Sequence, residues 1–113
     1  MRRGDIVMAC LDPTIGAEIS KTRPCVVVSP DEMNNMLLTV NIVPVTSKFR
    51  NVPTRMLVRA SAQSGLDVDS YAALDQIKTI DKKRVFRTRG RVSDTEMESI
   101  CDTLCEMFMF EFK

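Results

Sequence analysis

Apolar residues recur along this chain in short runs broken by turn-forming residues, a pattern of strands more than of helices. Ile6 to Leu11 forms the first run and stops at Asp12-Pro13. A loop from Asp12 to Thr22 follows. Arg23 to Ser29 then carries the uninterrupted Cys25-Val26-Val27-Val28, and Pro24 marks its start because proline holds the preceding residue extended. Ser29-Pro30-Asp31-Glu32 offers a capping serine, a proline at the first helical position and a glutamate placed to reach back, which predicts a helical turn through Asn35. Met36 to Thr46 reads as a third strand, in which Pro44 cannot donate to a ladder and belongs at an edge or a bulge. Thr54 to Ala60 alternates Met56, Val58 and Ala60 with Arg55, Leu57 and Arg59, a fourth strand with at least one wet face. Ser61 to Ser70 reads as loop, and Tyr71 to Ile80 and Arg84 to Val92 as two more strands joined at Asp81-Lys82-Lys83.

The last element has a different period. Ser93-Asp94-Thr95-Glu96 is a capping box, and Met97, Ile100, Cys101, Leu104, Cys105 and Phe108 then recur at helical spacing. The result is an amphipathic helix whose stripe packs on the sheet, leaving Met107, Met109, Phe110 and Phe112 to cover the core or meet a partner chain. Five or six strands and one terminal helix, without βαβ alternation, predict a mainly β fold, a small antiparallel barrel with a C-terminal α-helix. A length of 113 residues suits one domain with a real core and is too short for two, so 1–113 reads as a single domain.

Composition changes this picture little, but charge placement adds to it. Lys and Arg total 16 against 15 Asp and Glu, so net charge neither favours nor disfavours a nucleic-acid partner. Lys78, Lys82, Lys83, Arg84, Arg87, Arg89 and Arg91 face only Asp81 in their stretch, whereas acids dominate from Asp94 onward. The basic stretch is either a solvated hairpin or a cationic face. Cys10, Cys25, Cys101 and Cys105 sit in apolar stretches and read as reduced core thiols. There is no histidine, and the cysteine spacing gives no metal site. No apolar run suits a signal peptide or a membrane span, so the chain is expected to be soluble and cytoplasmic.

Candidate chemistry gathers at strand ends. Gly16-Ala-Glu-Ile-Ser-Lys-Thr-Arg-Pro24 places Glu18, Lys21 and Arg23 before a buried strand, as a solvated connector or as a functional loop on a rigid scaffold. Thr46 and Ser47 bring two hydroxyls to the end of the third strand, and Asp75, Gln76 and Lys78 lie in Leu74-Asp-Gln-Ile-Lys-Thr-Ile-Asp81.

Together with Arg3-Gly-Asp-Ile-Val7 and Leu11-Asp-Pro-Thr-Ile-Gly16, these segments resemble, in order, those of the MazF/PemK family of toxin endoribonucleases. The resemblance implies an SH3-like barrel that forms a homodimer, a cytoplasmic location and neutralisation by a MazE-like antitoxin. It also implies metal-independent, cofactor-free cleavage of single-stranded RNA at short motifs, giving a 2′,3′-cyclic phosphate and a 5′-hydroxyl. By the same resemblance Arg23 and Thr46 match the catalytic arginine and threonine, and Glu18 matches an acidic residue of the first loop. Asp75 and Gln76 match a segment associated with substrate contact and catalysis.

The residue types suit that chemistry. Arg23 is a permanent bidentate phosphate ligand, Thr46 a hydrogen-bond donor, and Glu18 or Asp75 a carboxylate that burial could tune towards a general base. Lys21, Ser47, Gln76 and Lys78 are candidate RNA contacts, with Gln76 suited to reading bases. Arg23 is expected to be preset by Pro24, and the Glu18 loop to settle on binding. The chain departs from the family at Met8, where many members carry an aromatic residue. It departs again at Ala73, where plasmid-borne members tend to carry a basic residue two positions before the aspartate. A different class on the same fold is a non-catalytic CcdB-like toxin that binds gyrase.

Overall fold

The computed structural model describes residues 1–110 and builds one antiparallel sheet around a long bent strand. The strands are β1 (Asp5–Cys10), β2 (Thr22–Val27), β3 (Thr39–Thr46), β4 (Arg55–Val58), β5 (Ser70–Ala73), β6 (Lys78–Asp81) and β7 (Val85–Arg91). Among the described residues two helices, α1 (Asp31–Met36) and α2 (Asp94–Phe108), accompany them, with 3₁₀ turns at Leu74–Gln76 and Lys82–Arg84. The order across the sheet is β4-β5-β3-β2-β1-β7, with β6 also on β3.

The expected strand from Tyr71 to Ile80 is in fact two strands. β6 pairs with the first half of β3, from Thr39↔Asp81 to Ile42↔Lys78, and β5 pairs with its end, at Val45↔Ala72 and Thr46↔Tyr71. Between these ladders β3 passes Val43 and Pro44 without a strand partner on that side, while Pro44 stays opposite Cys25 of β2 on the other. The proline thus falls at the break between two ladders, where its missing N–H costs no ladder bond.

Continuous apolar runs follow from a sheet buried on both faces, since successive side chains point opposite ways. Ile6, Val26, Val43 and Val45 join one core with Val92 of the β7–α2 link and Ile100 of α2; Val7, Cys25, Val27, Val40 and Ile42 join the other with Ile80. Ile19 packs on the second core, so the loop from Asp12 to Thr22 is more than a solvated connector.

Three expectations need correction. Ser29 does not cap α1: Pro30 holds the N-cap position, and the Ser29 hydroxyl donates to Asn34 Oδ1 and accepts from Asn41 N–H. In α2 the Ser93–Glu96 capping box forms, but the stripe that packs on the core is buried Ile100 with half-buried Met97, Leu104 and Met107, and Cys105 and Phe108 are exposed. Only Cys25 is a core thiol, and burial pushes its pKa up to about 12. Phe112 lies outside the described residues.

The sheet does not close into a barrel among the described residues, because no ladder joins β4 to β7. A loop spans the gap instead. Arg91 N–H donates to Gln63 O at 2.8 Å and Arg89 Nε to Gly65 O at 2.7 Å, and Gly65, at φ +69, lies against Arg89. Among the described residues no helix is long and apolar enough to cross a membrane.

Candidate active site

The antiparallel ladder of β1 and β2 sets Arg23 opposite Ala9 and Pro24 opposite Met8. The Arg23 side chain is tied back to its own loop, with Nε donating to Ser20 O at 2.7 Å. Thr46, buried at the end of β3, accepts a hydrogen bond from Lys48 N–H at 3.2 Å. Among the described residues its hydroxyl proton is given to no acceptor, so it is available to a ligand. Arg23 and Thr46 line one cavity of about 160 Å³ together with Glu18, Gln76, Lys48, Arg50 and Arg55. Four cations and one acid line it, and with Arg55 paired to Asp75 the remaining Arg23, Lys48 and Arg50 against Glu18 still favour an anion.

The remaining candidates divide among neighbouring places. Asp75 and Lys78 line a larger cavity of about 450 Å³ beside the first, with Glu18 and Gln76 in the wall common to both. Ser47 and Arg23 line a third, of about 180 Å³, with Arg89 and Ser70. Lys21 is exposed at φ +71, and its N–H donates to Asp12 Oδ1 at 3.2 Å. Glu18 is exposed, and Oε2 accepts from Ile15 N–H at 3.2 Å.

Gln76 and Lys78, expected as RNA contacts, also bond within the chain. Gln76 Oε1 accepts from Ile19 N–H at 2.6 Å and its Nε2 donates to Ala17 O at 3.3 Å. Both ends of the amide therefore clamp the Glu18 loop, while one N–H and one oxygen lone pair remain to face the two cavities that Gln76 lines. Lys78 Nζ donates to Leu11 O at 3.5 Å. The basic stretch beyond it is also drawn inward. Lys82 donates to Asn34 O, Arg84 to Asp12 O, Arg89 pairs with Asp67 and Arg91 with Asp5, leaving Lys83 and Arg87 exposed.

Asp75 is the candidate most altered by its surroundings. The Arg55 guanidinium, donating to both carboxylate oxygens, holds the Asp75 carboxyl below its ordinary 3.8, and the Thr54 hydroxyl acts the same way against partial burial. A general base needs the opposite shift. Because the folded value is depressed, the pair contributes stability that is fully present above pH 3.8 and is lost as pH falls through the folded value. The stability advantage of wild type over Asp75→Asn, followed by urea denaturation, is thus expected to be constant near neutrality and to shrink below about pH 4. An advantage independent of pH down to acid unfolding contradicts the pairing.

Sequence reasoning missed Lys48, Arg50 and Arg55. Lys48 and Arg50 directly follow Thr46-Ser47, which is a readable signal; Arg55 stood on the presumed wet face of β4. Among the described residues no cluster of three or more His, Cys, Asp or Glu side chains could hold a metal ion.

Residues 2–108 match a family described as PemK-like, MazF-like toxins of type II toxin–antitoxin systems. Endoribonuclease MazF9 of Mycobacterium tuberculosis is 37% identical over 109 residues, 92% of each chain. Endoribonuclease MazF of Staphylococcus saprophyticus is 34% identical over 102 residues, 88% of this chain and 84% of the relative. The solved structure of a mycobacterial endoribonuclease in complex with its cognate antitoxin is similar at a TM-score of 0.78 and 22% identity, over 98% of this chain and 99% of that one.

Proposed function

Because the chain belongs to the PemK-like, MazF-like toxins of type II toxin–antitoxin systems, we infer that it is an endoribonuclease toxin neutralised by a cognate antitoxin. Its substrate is single-stranded RNA, cut at a short sequence by attack of the 2′-hydroxyl without a metal. The observation that carries this reading is the cavity in which Arg23 and Thr46 meet.

Each step has a group suited to it. Arg23 grips the non-bridging oxygens of the scissile phosphate, and its charge opposes the negative charge that builds as the 2′-oxygen bonds to phosphorus. Thr46 donates its hydroxyl proton to the same phosphate. Glu18, on the loop that Gln76 clamps, lines the cavity with Arg23 and Thr46 and takes the 2′-hydroxyl proton, whereas Asp75 lies outside that cavity and is engaged by Arg55. The P–O5′ bond breaks, the 5′ oxygen takes a proton from water, and Glu18 returns the proton it took to solvent. The products carry a 2′,3′-cyclic phosphate and a 5′-hydroxyl. Lys21, Ser47, Gln76 and Lys78 contact flanking RNA, and Gln76 also holds the Glu18 loop.

Residues 1–113 act as one domain, an open form of the SH3-like barrel in the cytoplasm, supported by a family match over 2–108. Exposed Phe108 and Met109 at the end of α2 offer apolar surface to a homodimer. The CcdB-like gyrase-binding alternative is not favoured, because the relatives matched over most of the chain are endoribonucleases.

The purified protein is expected to cut a long single-stranded RNA into discrete fragments in EDTA. Intact RNA after incubation with folded protein would sink the reading.

A further inference from the structure

Arg55 is the cation of the Arg23–Thr46 cavity with the most constrained side chain. It lies in β4, directly opposite Ala73 in the β4–β5 ladder and so beside the turn that carries Asp75. The side chain is only 8% exposed. Nε and Nη2 donate to the two oxygens of Asp75 at 2.9 and 3.1 Å, and Thr54 Oγ1 donates to Oδ1 at 3.0 Å. A fork-to-fork pair of this kind fixes the plane of the guanidinium as well as its position. Nη1 makes no hydrogen bond among the described residues, and no buried side-chain nitrogen or oxygen there lacks a partner, so Nη1 is open to solvent. One edge of the guanidinium is held, and one nitrogen is available to a ligand.

We propose that Arg55 is a second substrate-contacting guanidinium of this site, donating from Nη1 to a phosphate oxygen of RNA held against Arg23 and Thr46, with Asp75 as its positioning residue. The proposal rests on the ribonuclease reading. The Arg55–Asp75 pair is neutral in sum, so Arg55 supplies a directed hydrogen bond more than bulk attraction, which falls to Arg23, Lys48 and Arg50.

The test uses the full chain, an RNA oligonucleotide with one cut site, and its uncleavable form with 2′-deoxyribose at that site. Arg55→Lys keeps the charge and can still pair with Asp75, but it loses the planar fork. Arg55→Lys and Arg55→Ala are each expected to lower the single-turnover rate about 10²-fold while affinity for the uncleavable RNA changes less than about threefold. Asp75→Asn is expected to cost about tenfold, and the Arg55→Ala/Asp75→Asn double variant to be no slower than Arg55→Ala, because the two act as a unit. Arg55→Lys cleaving within about threefold of wild type assigns the pair a purely structural role and overturns the proposal; since this variant keeps the ion pair, it decides the matter even if Arg55→Ala fails to fold. Wild type that leaves the RNA intact sinks the ribonuclease reading and this proposal together, whereas active wild type with an unimpaired Arg55→Lys sinks only the latter.

Discussion

Replacing Arg23 by alanine is expected to lower the rate of RNA cleavage about 10³-fold, at the upper end of what losing a preorganised donor to a developing anion costs. The expectation is large because two properties meet in this residue. Its guanidinium is a permanent cation that can grip two phosphate oxygens, and it is held in place before substrate arrives, by the ladder to Ala9 and by the bond from Nε to Ser20 O at 2.7 Å. A preset donor pays no reorganisation in the transition state. Thr46→Ala is expected to cost less, about 10²-fold, since it removes a neutral donor, and Thr46→Ser to recover most of the loss. Single-turnover rates, with circular dichroism to confirm the fold, check both. An Arg23→Ala rate within about threefold of wild type is incompatible with the assigned role.

The second large effect concerns the fold. Gly90→Ala is expected to destabilise the protein by about 2 to 3 kcal/mol, because the added methyl meets backbone that cannot yield easily. A Cβ at Gly90 would stand 2.3 Å from Ser64 O and 2.4 Å from Gln63 O. Those carbonyls belong to the loop that crosses from β4 to β7, fixed by Ser64 Oγ, which donates to Arg59 O at 2.8 Å and accepts from Ser61 N–H at 3.0 Å. Pushing the loop away would also break the bond from Arg91 N–H to Gln63 O. Urea denaturation measures the change. A loss below about 0.5 kcal/mol, the range of an ordinary surface substitution, contradicts the close approach.

Much of this fold was legible because local signals were strong. The Cys25 to Val28 run, the Ser93–Glu96 box and the period change after it predicted β2 and α2 at nearly the right bounds. What escaped was set by pairing at a distance. Nothing between Tyr71 and Ile80 announces a 3₁₀ turn at Leu74–Gln76; the turn exists because β3 passes from one partner strand to another near Pro44. The stripe of α2 shifted by one position because Met107 reached the core and Phe108 did not.

The site divides in the same way. Arg23, Thr46 and Glu18 were readable because each sits in a short segment with recognisable neighbours, and they share a cavity. Gln76 was legible as a polar residue of the site, but its hold on Ala17 and Ile19 was not, because the bond to Ile19 spans 57 residues. The ties on the Glu18 loop were not legible either: it is held by that clamp and by the bond from Leu11 N–H to Lys21 O. Arg55 looked like one charge of an exposed face. Only the register that sets it opposite Ala73 brings it to Asp75.

The most direct measurement is the chemistry of the cut ends. RNA cleaved by the purified protein in EDTA, with fragments weighed by mass spectrometry, is expected to carry a 2′,3′-cyclic phosphate on one side and a 5′-hydroxyl on the other. Fragments ending in a 3′-hydroxyl and a 5′-phosphate, or cleavage that persists when the 2′-hydroxyl at the cut site is replaced by hydrogen, would contradict attack by the RNA's own hydroxyl and the roles given to Arg23, Thr46 and Glu18.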